Sequence, residues 1–162
     1  MTTPDPISPT RQFVEEQGLL WEHSGLPRMT GRIIGWLLVC QPAEQTAAQL
    51  ALALDASKGS ISTNTRLLLQ LGVIERVSLP GERATHFRIA AGGWENFILG
   101  EGHRVAKIRE SAEQGLELLA NAPAEHRARM LEFHDLFAFI DREYPMLLQH
   151  YAEWKKARQE DA

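Results

Sequence analysis

TAAQLALALDASKGSISTNTRLLLQLGVIERVSLPGERATHFRIA, residues 46–90, is the stretch whose reading decides the fold. Thr46 is a helix-capping residue type, and Ala47, Leu50, Ala51 and Leu54 follow at spacings of three and four, the period of a helix with one buried face. Asp55, Ala56 and Ser57 break that period. Ser57 is a second N-cap, after which Ile61, Thr65, Leu68 and the Leu71/Gly72 end fall on one side of another helix. The opposite side is small and polar: Ser62, Thr63, Arg66 and Gln70, with Ser57, Lys58 and Ser60 at the amino-terminal end. Gly72 suits the position just past a helix end. Val73–Leu79 and Ala84–Ala90 are rich in β-formers and flank Pro80 and Gly81. Proline second and glycine third in a turn favour a tight hairpin.

Helix, turn, helix and hairpin in that order make a winged helix-turn-helix. The expected fold class is mainly α with a small β-hairpin wing. Residues 1–25 form a lead and helix, 26–91 the winged helix-turn-helix domain, and 92–162 a helical dimerisation region that also offers room for an effector. In such folds the amino-terminal end of the second helix enters the major groove of duplex DNA. Short hydroxyl side chains at Ser57, Ser60, Ser62 and Thr63 permit close approach, while Lys58 and Arg66 reach phosphates or guanine edges. Arg83, at the wing tip, would follow it toward a minor groove or the flanking phosphates. Charge is placed accordingly. The chain has 17 Lys plus Arg against 21 Asp plus Glu, a net of −4, which speaks against a protein that coats nucleic acid. Residues 57–90, however, hold Lys58, Arg66, Arg76, Arg83 and Arg88 against only Glu75 and Glu82, a local excess of +3. A basic reading head on an acidic body is the pattern of a selective binder.

These same residues carry a family likeness. SKGSISTNTRLLLQLGVIERV at 57–77 and PGERATHFRIA at 80–90 resemble the winged-helix signature of GbsR/MarR-type bacterial transcriptional regulators. The matching elements are Ser57, Lys58 and Gly59, then Ser62, Asn64 and Arg66, then Gly81, Glu82 and Arg83. Upstream, Gly25, Leu26, Pro27, Arg28, Met29, Gly31 and Arg32 match the preceding helix of that family. The resemblance implies a homodimeric, DNA-binding regulator, more often a repressor, and adds Asn64 to the DNA-binding set. By helical phase alone Asn64 points partly inward, toward a hydrogen-bonding role in fixing the turn. Some members of the family answer to quaternary ammonium compounds, for which aromatic cages are the natural receptors.

A second signal lies toward the carboxy terminus. Met130, Phe133, Phe137, Ile140, Tyr144, Leu147, Tyr151 and Trp154 alternate steps of three and four, a seam that needs a partner surface. An earlier helix, about 94–119, offers Phe97, Val105, Ile108, Ala112, Leu116 and Leu119 for part of it. The rest is expected to build a two-fold homodimer that spaces two recognition helices by about 34 Å. Pro145 should kink the helix or begin a new segment after Tyr144. Eight of the twelve aromatic residues lie at or beyond Trp94. Core packing accounts for them first; the functional alternative is an effector cage drawn from Trp36, Trp94, Phe97 and Phe133.

Enzymatic constellations are missing. Gly92 and Gly93 lack the further glycine or lysine of a phosphate loop, and the six histidines show no HExxH or Cys/His spacing. Glu101/His103 and Glu132/His134, two apart on a helix, diverge. No cofactor or metal is implied. The single Cys40 ends the apolar run IIGWLLVC and reads as core rather than as a redox sensor. The opening MTTPDPISPT has no signal-peptide core, no apolar run spans a membrane, and cytoplasmic residence follows. The charged tail from Lys155 is expected to fray. The competing reading is a winged helix used for protein interaction with incidental DNA contact. The polar face at Ser62, Thr63 and Arg66 favours DNA, because a protein-binding face would show aromatic or aliphatic anchors.

Overall fold

The computed structural model describes residues 8–160. The part of the opening segment before Ser8, and Asp161 and Ala162 of the tail, lie outside the described residues. The chain divides into two compact units, Met1–Phe97 and Ile98–Ala162.

The first unit is built from α1 (Pro9–His23), α2 (Arg28–Val39), β1 (Gln45–Thr46), α3 (Ala47–Ala53), α4 (Lys58–Gln70), β2 (Ile74–Ser78) and β3 (Thr85–Ile89). It also holds the first residues of α5 (Gly93–Leu118). Local chemistry sets each boundary. Ser8 caps α1 by accepting from the Arg11 amide. Thr46 and Gln49 form a reciprocal capping box on α3, and the Ser57 hydroxyl accepts from the Ser60 amide at the start of α4. Three helices end in the same crossed pair of backbone hydrogen bonds. After α4 the Val73 amide returns to the Leu68 carbonyl and the Gly72 amide to Leu69. After α1 Gly25 takes the left-handed position, and after α3 a non-glycine, Asp55, takes it at φ 47°. Asp55 therefore ends the helix sharply enough for Ser57 to begin the next two residues later.

The wing turn is as read. The Glu82 amide donates to the Leu79 carbonyl around Pro80, with Gly81 at φ 82°. Ser78 pairs with Thr85 and Ile74 with Ile89 in an antiparallel β2/β3 ladder. The sheet has a third strand that the sequence did not announce. The two-residue β1 pairs with β3 through Gln45–Phe87 and Thr46–His86, giving the order β1-β3-β2. Two residues are too few to show a period, so only the partner strand defines β1.

Ile33, Ile34 and Leu37 from α2, Leu50 and Leu54 from α3, Ile61 and Leu68 from α4, and Val73, Ile74 and Phe87 from the wing converge in one core. Each such side chain contributes about 1.5–3 kcal/mol by leaving water. Cys40 is buried with them, and burial pushes its thiol up from the ordinary value, as a core role requires. α1 crosses α2 closely because glycines line the crossing. A Cβ on Gly31 would stand 2.5 Å from the Gln17 carbonyl and 3.0 Å from the Cα of Gly18.

The second unit is a helical hairpin of the remainder of α5 and α6 (Ala124–Glu160). Its helices meet over two glycines, Gly102 beneath the Tyr144 ring and Gly115 beneath Met130. Arg109 donates to Asp141 at 2.7 Å, and the Tyr144 hydroxyl donates to the Ile98 carbonyl at 2.8 Å. Helix α6 passes through Pro145 without starting a new segment, one of the two outcomes expected there, and its helical assignment runs beyond Lys155 to Glu160. A proline deletes one backbone bond of the ladder, and in a 37-residue helix the turns on both sides hold the geometry.

Candidate nucleic-acid interface

Helix α4 separates two chemistries. Ile61, Asn64, Thr65 and Leu68 are buried against the core, and the Thr65 hydroxyl folds back onto the Ile61 carbonyl at 2.8 Å. Ser57, Lys58, Ser62, Thr63 and Arg66 are exposed, Ser60 is half-buried, and Arg83 is exposed on the wing. Among the described residues, Lys58, Arg66 and Arg83 make no ion pair. Arg88, which sequence charge counting places with them, is committed elsewhere. Its guanidinium donates to Glu75 at 2.8 Å and to Glu44 at 3.3 Å, and these two carboxylates hold its proton more firmly. Within residues 57–90 the unpaired positive charge therefore lies on α4 and the wing. Arg76, exposed on β2 and also without an ion pair among the described residues, is a cation the sequence reading counted but gave no role.

Asn64 departs from the DNA-binding set. It is only 7% exposed, its Oδ1 accepts from the Thr30 hydroxyl at 2.7 Å, and its Nδ2 donates to the Ser60 carbonyl at 2.8 Å. Both polar atoms are engaged inside the fold, so Asn64 ties α4 to α2 instead of facing outward. Thr30 is fully buried and was missed. Only its position 34 residues upstream, across a helix packing, links it to the site.

Of the cage residues in the first unit, Trp36 stands apart from Trp94 and Phe97. Trp94 stacks on Trp21 with ring centres 5.9 Å apart, and Phe97 meets the same Trp21 edge-on at 5.8 Å. Trp36 donates its indole N–H to Gln45. Phe133, in the second unit, packs on Phe137. An open cavity of about 540 Å³ does lie in the first unit, lined by Arg11, Val14, Glu15, Arg32, Trp36 and Asp55 among others. Of the four, only Trp36 reaches it. Beside it Glu15 bridges Arg28 and Arg32 at 3.0 and 2.8 Å.

Of the dimerisation seam, Met130 and Tyr144 pack on the glycines of α5. Phe133, Leu147, Tyr151 and Trp154 are exposed, and so are Leu131, Leu136, Phe139 and Met146, which lie off the predicted seam. No residue of α6 is fully buried.

The chain is 40% identical over 145 residues to the HTH-type transcriptional regulator MmpR5 of Mycobacterium tuberculosis, covering 88% of this chain and 86% of that protein. It belongs to the MarR family of transcriptional regulators. Residues 92–155 match the family described as MmpR5-like MarR family transcriptional regulator. A crystal structure of a transcriptional regulator superposes with a TM-score of 0.78 at 37% identity, covering 90% of this chain and 99% of that one. The MarR assignment places the winged helix in a regulator rather than an enzyme. The likeness lies with MmpR5-like MarR regulators. No helix among the described residues of this MarR regulator is long and apolar enough to cross a membrane.

Proposed function

We propose that this regulator binds a specific operator in duplex DNA as a homodimer and represses the adjoining gene from the cytoplasm. The observation that carries the reading is the division of α4. One face is locked into the core, and the other presents small hydroxyl side chains and unpaired cations, continued by Arg83 on the wing. Ser60, Ser62 and Thr63 lie nearest the bases, Lys58, Arg76 and Arg83 anchor phosphates or a groove edge, and Arg66 contacts a guanine edge or the backbone. Homodimer formation is supported by the apolar side chains left uncovered on α6. Leu136, Phe139 and Met146 share one side of the helix, and Leu147, Tyr151 and Trp154 extend it. A soluble monomer rarely shows such a stripe to water. Phe133, Phe137 and Ile140 complete the proposed interface.

Control by a small molecule belongs to the same reading. Its seat is the cavity beside Trp36, within the usual volume of ligand pockets. Asp55 in its wall is the left-handed residue of the turn that launches α4, so a ligand there presses directly on the placement of the recognition helix.

The test is fluorescence anisotropy with the duplex upstream of this protein's own gene, against a scrambled duplex, over a range of salt. Binding about a thousandfold tighter to the upstream duplex, with two chains per site, is the expected result. Equal and weak binding to both, vanishing with modest salt, across a wider duplex library, would overturn it in favour of a protein-interaction module. Transcription from the same duplex in vitro reads the sign of regulation.

A further inference from the structure

His86 is only 4% exposed, yet both of its ring nitrogens face acceptors. Nδ1 lies 3.1 Å from the Ala84 carbonyl oxygen and Nε2 lies 3.0 Å from a carboxylate oxygen of Glu82. A neutral imidazole carries one N–H, so one of these two contacts would then set a lone pair against an acceptor. Only the imidazolium donates to both. The two partners bracket Arg83, the wing-tip cation. We propose that His86 is a positioning residue that holds the wing tip through Glu82 and Ala84, and that its protonation closes this clasp and presents Arg83.

The charged surroundings leave Glu82 as the counter-charge that matters. On β2 the nearest carboxylate along the same side is Glu75, and before β1 it is Glu44; both are neutralised by Arg88, two residues from His86. Helix α3, which packs against β3, carries no charged residue. Helix α2, which also contacts β3, contributes Arg28 and Arg32, and both are held by Glu15. Glu82 is half-exposed, so the clasp is strong only when both partners are charged. It is complete when the ring carries both N–H groups and Glu82 is a carboxylate, and it loosens when the ring gives up one of its protons.

The role in DNA contact rests on the reading of the preceding subsection; the clasp itself does not. Two measurements separate them. In the uniformly 15N-labelled full chain, the His86 ring nitrogens and amide exchange at Gly81–Arg83 are followed from about pH 5.5 to pH 8.5. Affinity for the upstream duplex is measured over the same range. Protection of the wing-tip amides, relative to the intrinsic base-catalysed rate at each pH, should be greater at low pH, in step with the His86 ring-nitrogen signals, and the duplex should bind at least about threefold tighter there. Glu82→Gln, at an exposed position that tolerates change, should remove both effects. Its amide accepts from an imidazole N–H and, flipped, donates to the neutral ring. Wing-tip protection, so corrected, that does not change with pH, or that keeps the same pH dependence in Glu82→Gln, overturns the proposal. Absence of duplex binding at every pH, with His86-linked exchange intact, would sink the DNA reading while leaving the clasp.

Discussion

Single side chains at this interface act by what they hold as much as by what they offer. Thr30 offers nothing to solvent, but its hydroxyl supplies the one donor that Asn64 Oδ1 receives. Thr30→Val, close in shape, leaves that oxygen unsatisfied in the core and should cost about 1–3 kcal/mol in urea denaturation, whereas Thr30→Ser should retain most of the stability. Arg66 has the opposite standing, exposed and outside every ion pair among the described residues. Arg66→Ala should leave the denaturation midpoint nearly unchanged and weaken operator binding by about 1–3 kcal/mol, relaxing sequence preference if it reads a base. A uniform loss with a shallower salt slope would mark it as a phosphate contact. At Glu15 burial raises the carboxyl, but hydrogen bonds and charge from Arg28 and Arg32 outweigh it and hold the group below the ordinary value. A lowered folded value means that this stabilisation is present above the unfolded carboxylate's range and is lost as pH falls through the lowered one. Urea midpoints of the native chain should therefore drop more between about pH 6 and about pH 3 than those of Glu15→Gln.

Helices and strands here are bounded by local signals and joined by non-local ones. Capping at Thr46 and Ser57, the turn at Pro80–Gly81 and the glycine after α4 are hydrogen-bonding and conformational preferences expressed within four residues, and all were legible. The short β1 was not, since it exists only as a partner for β3. The closeness of α1 to α2 was equally silent in the sequence, although its glycines were in view. Gly31→Ala places a methyl against the Gln17 carbonyl and the Trp21 Cβ, both on α1. Neither atom can swing aside as a flexible chain end could, so the helices must separate. The expected cost is about 1–3 kcal/mol in thermal or urea denaturation, despite the better helix propensity of alanine.

For the molecule as a whole, the uncovered side of α6 is the surface on which the proposed dimer rests. Phe139 and Leu136 are more than half exposed, and charge introduced there leaves the contacts of α6 with α5 through Met130, Tyr144 and Asp141 in place. Light scattering on the native chain should report a dimer. Leu136→Glu with Phe139→Glu should shift it to a monomer with unchanged helicity and sharply weaker operator binding. A dimer that survives both substitutions would place the interface elsewhere.

By itself the sequence determined the order of helix, turn, helix and hairpin, the caps at Thr46 and Ser57, the wing turn and the polar face of the recognition helix, because each is written in residues that are neighbours in the chain. Family membership was legible for the same reason, in short motifs with fixed spacing. Only the tertiary structure decided which groups remain available. Arg88 is consumed by Glu44, 44 residues away, Asn64 is drawn inward by Thr30, and the aromatic residues that composition suggested for a cage divide between a cluster on Trp21, a bond to Gln45 and a contact on α6. Hydrogen bonds and ion pairs of this kind depend on strand register and on the depth of helix packing. Neither is encoded in a local period; both are settled when distant segments compete for the same buried donors, acceptors and apolar area.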